Sequence, residues 1–414
     1  MSSLQDELRG VYPLVGGLVG LGSLFVYFAS NSTSAKARRA NAQLPPGPKQ
    51  NLILGNALNF PKDRWYEAFT SWSKEYGDIV YVNLAGVHMV VLNSLEAIQE
   101  IVDKRMSIHS ERPYTTMTND LMAQGYTMLL SRTGPDFTEQ RKVFQKFLGK
   151  QVITDYDELI HGHAKTLIRD NDGFVGDPYD PLMRTVGSIL TTIAYGEKIN
   201  KEYGETLIEI NTETTNLVAW VFTKVWMVDV ISALRYVPSW MPGATFKRIA
   251  DRGASLANKI RYWAYGMVEA AVVEGTADES IVSKQLNETG ISNANLRDAV
   301  AVMYGAGVDT TAVAITNFLY AMVLHPEWQE KAQKEMETVL GPGHLPTPED
   351  ISRLEIFNAV WKESFRWNPP VPLGIPHVSN SEDTWNGYYI PNGTIIHCNI
   401  GFARLNIVNT AKRS

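Results

Sequence analysis

The 414-residue chain holds one cysteine, Cys398, so it has no intramolecular disulfide and only one possible thiolate. Such sparse cysteine usage fits a reducing compartment or a cytosol-facing domain. Basic residues are not in excess either: the formal charge is −6, which gives no reason to expect a nucleic-acid partner. The chain has no repeat and no low-complexity tract, and past its N-terminus no Pro/Gly/Ser-rich linker is long enough to separate one domain from another. One large domain is therefore expected. What the chain has in quantity is apolar surface, with 44% hydrophobic residues and 10 tryptophans to build a core.

Two stretches are almost free of charge. The first, Val11 to Ala29, is 19 residues without a charge, the length of a membrane-spanning helix. Asp6, Glu7 and Arg9 precede it, and Lys36, Arg38 and Arg39 follow it. The positive-inside rule then reads it as a signal anchor that leaves the bulk of the chain on the cytosolic side. A cleaved signal peptide is the alternative. Leu44-Pro45-Pro46-Gly47-Pro48 cannot continue a helix and reads as a stiff, extended connection. The expected organisation is a short lumenal N-terminus (1–10), an anchor (11–29), a basic and Pro-rich hinge (30–48), a body (49–400) and a tail (401–414).

The second stretch, Ala299 to Leu324, carries a single formal charge, Asp309, among 26 residues. As a helix it would be about 39 Å long. Tyr304, Gly305, Ala306 and Gly307 cluster just before Asp309, Thr310 and Thr311. A flat group could approach the backbone there, beside an acid and two hydroxyls. Each glycine costs a helix interior about 1 kcal/mol against alanine, and the hydroxyls compete for backbone carbonyls. Three explanations stand side by side: core packing, a mid-helix distortion at a ligand, or a membrane span, against which Asp309 at its midpoint speaks. A carboxylate in such surroundings needs water or a partner.

In the body, Ile79–Leu84 and Val87–Leu92 are β-rich runs joined by Ala85-Gly86 and read as a hairpin, with Asn93 or Ser94 capping a helix to about Asp103. Helical patterns cover about 137–148, 155–170, 181–196, 203–222, 245–274 and 280–289. The aromatic stretch Val230–Pro242 suits either packing or a membrane surface. Pro326 opens a helix that stops at Gly341, and Thr347-Pro348-Glu349-Asp350 is a capping signal for one ending at Trp367. Glu363 and Arg366 fall on one face of that helix and can pair. Asn386-Gly387 and Asn392-Gly393 flank Tyr388-Tyr389-Ile390, and the strand Thr394–Cys398 follows.

The Pro-rich hinge after an anchor, the stretch Ala306-Gly307-Val308-Asp309-Thr310-Thr311, the quartet Glu363-Ser364-Phe365-Arg366 and the run Gly387 to Thr394 together resemble a cytochrome P450. Their order over roughly residues 40–400 is similar to fungal microsomal members that oxidise secondary metabolites. The resemblance implies a mainly α fold with a small β region, and a haem held through a cysteine thiolate. It implies an NADPH-dependent P450 reductase as electron donor and a small lipophilic substrate. The location it implies is the endoplasmic reticulum membrane, with the body facing the cytosol. Asp309 and Thr310 match the acid–alcohol pair that organises water and delivers protons. Ala306 and Gly307 would lie over the haem, and Glu363 and Arg366 match a buried structural lock. Arg141 matches a basic residue that contacts a haem propionate, and His377 matches a second such contact. Phe137 stands where the family has a tryptophan, which keeps stacking area and loses the indole donor. Val371, Leu373 and Ile375 would line the substrate pocket.

The resemblance departs at the end of the chain. After Cys398-Asn399-Ile400 the family continues to a loop carrying the thiolate cysteine and to a further helix, whereas this sequence ends in GFARLNIVNTAKRS. Cys398 falls at an ordinary strand position and reads as a buried, inert thiol, so no residue is assigned as metal ligand. The expectation is a C-terminally truncated, inactive monooxygenase, the tail being a splicing or gene-model error or a real product. The alternative is a non-catalytic, membrane-anchored helical protein that binds a hydrophobic ligand.

Overall fold

The computed structural model describes residues 33–51, 54–290 and 293–403; the expected anchor 11–29 and residues 404–414 of the expected tail lie outside them. The fold is mainly helical with a small β region, as the sequence indicates. Two compact units divide the chain: the smaller draws on 1–60, 71–110 and 377–397, and the larger on 61–70, 111–376 and 398–414. Helices of nine or more residues are α1 (Trp65–Tyr76), α2 (Pro135–Leu148), α3 (Asp157–Asp170), α4 (Tyr179–Tyr195), α5 (Glu197–Phe222), α6 (Thr245–Val273), α7 (Ile281–Thr289), α8 (Ala294–Leu324), α9 (Pro326–Leu340) and α10 (Glu355–Trp367). The strands are β1 (Ile79–Leu84), β2 (Val87–Leu92), β3 (His377–Val378), β4 (Asp383–Trp385), β5 (Tyr388–Ile390) and β6 (Ile395–Cys398).

The smaller unit is built on the sheet β1-β2-β6-β3, with β4 and β5 as a separate hairpin. β1 and β2 pair from Ile79 opposite Leu92 to Leu84 opposite Val87, around Ala85 (φ 51°) and Gly86 (φ 99°). Two consecutive left-handed residues give the turn whose twist suits flanking strands. The Pro-rich stretch is docked along this sheet: Pro46 O accepts from Tyr81 N at 2.8 Å, and a Cβ on Gly47 would stand 2.1 Å from Tyr81 O. The short turn Met106–His109 is pinned to the segment after β3, since Asn380 N donates to Ile108 O at 2.9 Å. Fully buried His109 donates from Nε2 to Asp383 at 2.9 Å, and Arg105 Nη1 reaches the same carboxylate at 2.8 Å.

In the larger unit, α8 is the axis. Its 31 residues begin at Ala294, five earlier than the apolar run suggested, because the side chain of Asn293 accepts from Asn295 N at 2.8 Å and caps the start. The helix is about 46 Å long. It packs against α2, α4, α5, α6 and α10. Leu207, Leu296, Val300, Tyr304, Val308, Ala264 and Val282 meet in the main core, where each fully buried large aliphatic side chain contributes about 2 kcal/mol. Core packing thus accounts for most of the helix's apolar character. A second core joins Met117 and Met122 to Val221, Val228 and Ala250. It forms because residues 116–121 make a short wide-turn helix that the sequence did not signal, held where Asp229 accepts from Met117 N at 2.8 Å. Within Val230–Pro242, Tyr236 and Trp240 are exposed.

Acid should weaken the smaller unit. Burial pushes the His397 imidazole down to about 4 and lowers His88 and His109 as well, the last partly offset by Asp383. For Asp383, burial raises the carboxyl, but hydrogen bonds from His109 and Arg105 outweigh it and leave the group lowered. Below about pH 6.5 the unfolded chain takes up histidine protons that the folded chain refuses, so this stability is complete above that pH and declines toward pH 4. Asp383 acts the same way lower down: its stability is present above the ordinary carboxylate range and lost as pH falls through its lowered value. The urea midpoint should drop from pH 7 to pH 5, with His397 alone contributing on the order of 2 kcal/mol. An unchanged midpoint would count against the buried neutral histidines.

Candidate active site

The centre of α8 brings the sequence-predicted acid and alcohol onto one continuous helix. No break occurs at the glycines, for residues 294–324 are helical throughout. Gly307 instead serves a helix crossing: a Cβ there would stand 2.7 Å from Leu190 Cδ1 on α4, and one on Gly187 of α4 would stand 2.6 Å from Ile208 Cγ1 on α5. That differs from the expected role of Gly307, because the direction its side chain would take is filled by Leu190. Gly305 is open by comparison, with Asn211 Oδ1 at 3.6 Å from its notional Cβ.

Asp309 is half-buried and held at both oxygens. Tyr179 Oη, from the first residue of α4, donates to Oδ1 at 3.1 Å, and Asn211 Nδ2 of α5 donates to Oδ2 at 3.2 Å. Asn211 is completely buried, and its own Oδ1 has no hydrogen-bond partner among the described residues. Burial is the main reason the Tyr179 phenol is pushed up to about 12, with the charge and hydrogen bond of Asp309 adding to it. Thr310 and Thr311 are exposed, although Val308 and Ala312 beside them are buried. The Thr310 hydroxyl donates to Ala306 O at 2.7 Å, one turn back. An exposed patch in the middle of a core helix means that this face of α8 borders open space.

The other predicted residues fall as follows. Arg141 lies exposed on α2, its guanidinium 5.7 Å from the centroid of the Phe137 ring, and among the described residues it makes no ion pair with a carboxylate. Glu363 and Arg366 pair on α10, with Arg366 Nε at 2.7 Å from Glu363 Oε2. The hydrogen bond to Arg366 is the main reason Glu363 is lowered. The pair is not buried as expected: the Glu363 side chain is 57% exposed. Because the Glu363 end of the pair is open to solvent, the pair is worth no more than about 1 kcal/mol. Val371 is exposed, while Leu373 and Ile375 are half-buried, in a turn closed by Gly374 N donating to Val371 O at 3.0 Å. Cys398 is buried, and among the described residues no three His, Cys, Asp or Glu side chains gather as a metal site. His377 belongs to the smaller unit, where its Nδ1 donates to His109 O at 2.8 Å.

Sequence reasoning missed two cationic features. Arg112 Nη1 donates to the carbonyls of Ile375 at 2.9 Å and Pro376 at 3.0 Å, and so fixes the end of the expected pocket-lining segment; burial lowers its pKa. Asp298, one residue outside the apolar run, is gripped by Arg261 at 2.9 Å through both oxygens and by Arg297 Nε at 3.0 Å. No local pattern announces either, since each partner lies far along the chain or outside the periodic stretch.

The chain is similar to known proteins of one family over most of its length. The Cytochrome P450 family profile matches residues 45–406. Cytochrome P450 monooxygenase 98 of Postia placenta is 33% identical over 379 residues, covering 87% of this chain and 71% of its own. Cytochrome P450 monooxygenase ple1 of Rhodocybe pseudopiperita is 32% identical over 372 residues (87% and 70%). Cytochrome P450 monooxygenase claR of Ampulloclitocybe clavipes is 32% identical over 363 residues (86% and 67%).

The two glycines of α8 should respond differently to alanine. Gly305→Ala meets only ordinary contact and should gain up to about 1 kcal/mol of helix stability. Gly307→Ala must displace Leu190 and should gain less or lose stability, with Leu190→Ala removing the penalty in the double variant. Urea unfolding of the four variants measures this; equal responses at 305 and 307 would contradict the packing role.

Proposed function

The chain belongs to the cytochrome P450 family, whose members are haem-dependent monooxygenases, and from that premise we propose that its larger unit holds haem against the side of α8 that carries Ala306 and Thr310 to oxidise a small lipophilic metabolite. The observation that carries this reading is the exposure of Thr310 and Thr311 at the middle of a helix otherwise sunk in the core. A flat, largely apolar group with anionic edges suits such a face. Arg141, which pairs with no carboxylate among the described residues, offers a cation to one anionic edge, with Phe137 holding its guanidinium by stacking. Arg112 is a second cation in the same unit, already aimed at the 375–376 carbonyls. No residue among those described is assigned as the iron ligand.

Haem, when bound, supplies the redox centre at which dioxygen is activated. The chain's own residues would supply proton handling and shape. The Thr310 hydroxyl, anchored to Ala306 O, keeps its lone pairs for a water, and Asp309 beside it is a proton source. Val371, Leu373 and Ile375 would offer an apolar wall to the substrate, held by the grip of Arg112 on their segment. Glu363 and Arg366 would act as a brace for α10. The remaining elements of the proposal are electrons from an NADPH-dependent reductase, an anchor at 11–29, a hinge at 30–48 and a body at 49–400. They also include a single-pass location on the endoplasmic reticulum with the body in the cytosol.

Haem titration into the expressed chain, followed by Soret absorbance, tests the reading. Saturable uptake is expected, with Arg141→Ala weakening it by roughly tenfold, about the contribution of one charge-assisted hydrogen bond. No uptake, or an unchanged affinity in Arg141→Ala, would contradict the site as drawn.

A further inference from the structure

Asp309 is the one acid in the centre of α8, and its environment specifies more than a satisfied carboxylate. Each oxygen takes one hydrogen bond, and the two donors come from different helices. They are not equivalent. Asn211 is sealed in the core, whereas Tyr179 is half-buried at the very start of α4. The Tyr179 backbone N donates to Asp177 Oδ1 at 2.9 Å, and that carboxylate also accepts from exposed Tyr320 at 3.5 Å. The backbone of Tyr179 is thus tied to a polar rim, while its half-buried phenol reaches inward to the Asp309 carboxylate.

We propose that Tyr179 is the positioning residue for Asp309: it fixes the carboxylate on the α4 side of α8 and links it to solvent as a proton relay. The inference rests on the function proposed above, since it assigns a proton path to that same site. The balance is simple. One proton arrives at the phenol oxygen from a hydronium ion of the solvent, which is left as water, as the phenol's own proton passes to the Asp309 carboxylate, so Tyr179 ends unchanged and Asp309 gains one proton to hand on beside Thr310. The phenol remains protonated at every working pH, because burial and the Asp309 charge oppose its ionisation. Asn211 cannot share the relay, because an amide in the core holds an oxygen in place without reaching water. If Tyr179 merely satisfied a half-buried acid, its loss and the loss of Asn211 would have the same consequences.

The test uses two variants and two readouts on the full chain. Without haem, the infrared difference between wild type and Asp309→Asn isolates the carboxylate bands of Asp309. Tyr179→Phe should shift them, as a carboxylate that has lost a donor must. With haem and reductase, NADPH-driven oxygen consumption should fall about tenfold in Tyr179→Phe, as expected for one lost hydrogen bond to a charged group. Its solvent deuterium isotope effect should rise. Asn211→Ala should also slow turnover but keep the wild-type isotope effect. Unmoved carboxylate bands in Tyr179→Phe, or equal isotope effects in the two variants, would overturn the proposal. Failure of the wild-type chain to take up haem would defeat the functional reading instead, and the infrared bands would then decide the positioning role.

Discussion

A carboxylate in the middle of a long apolar helix has to be held, and most of the larger unit can be read as the means of holding it. α8 cannot turn Asp309 toward the main core without a large desolvation cost, nor leave it unpartnered in a half-buried position. α4 and α5 supply the remedy, each with one donor. To do so they must lie close to α8, and the glycines are placed where that closeness is needed. Gly307 admits Leu190, and Gly187 admits Ile208. The small residues that looked like a distortion point are the contact surface of a three-helix crossing.

That crossing sets the geometry of the face beside it. With Asp309 turned toward α4 and α5, the next residue along, Thr310, looks into open space with its hydroxyl tied to Ala306 O. Acid and alcohol, adjacent in sequence, thus look in different directions. One is held by Tyr179 and Asn211, and the other faces the open space in which we propose that haem sits. The division follows from about 100° of helical rotation per residue and gives the pair its usefulness, because a proton source and a water-binding hydroxyl need different surroundings.

Much of this was legible in the sequence where the cause is local. The hairpin around Ala85-Gly86, the cap at Ser94, which accepts from Ala97 N at 3.2 Å, and the Pro326 start of α9 all depend on residues within a few positions of one another. The mainly helical fold and the family followed from motif order. The partners of the site were not legible. Tyr179 stands 130 residues before Asp309, and Asn211 stands 98 before it. Neither lies in a pattern that marks it. Asp298 escaped because it sits just outside the apolar run, and its two arginines are what permit it there. The exposure of Glu363 could not be read from spacing at all, since pairing at three residues' separation is the same on a covered face and on an open one.

The central claim, that the Thr310 face of α8 borders the space taken by haem, is tested most directly by thiol protection. Thr310→Cys adds a second cysteine to a chain whose native one is buried, so alkylation reports on position 310 against a low background. The account predicts ready alkylation in the haem-free chain and strong protection once haem is added. A thiol at 310 that is unreactive from the start, or that reacts equally well with haem present, would contradict it.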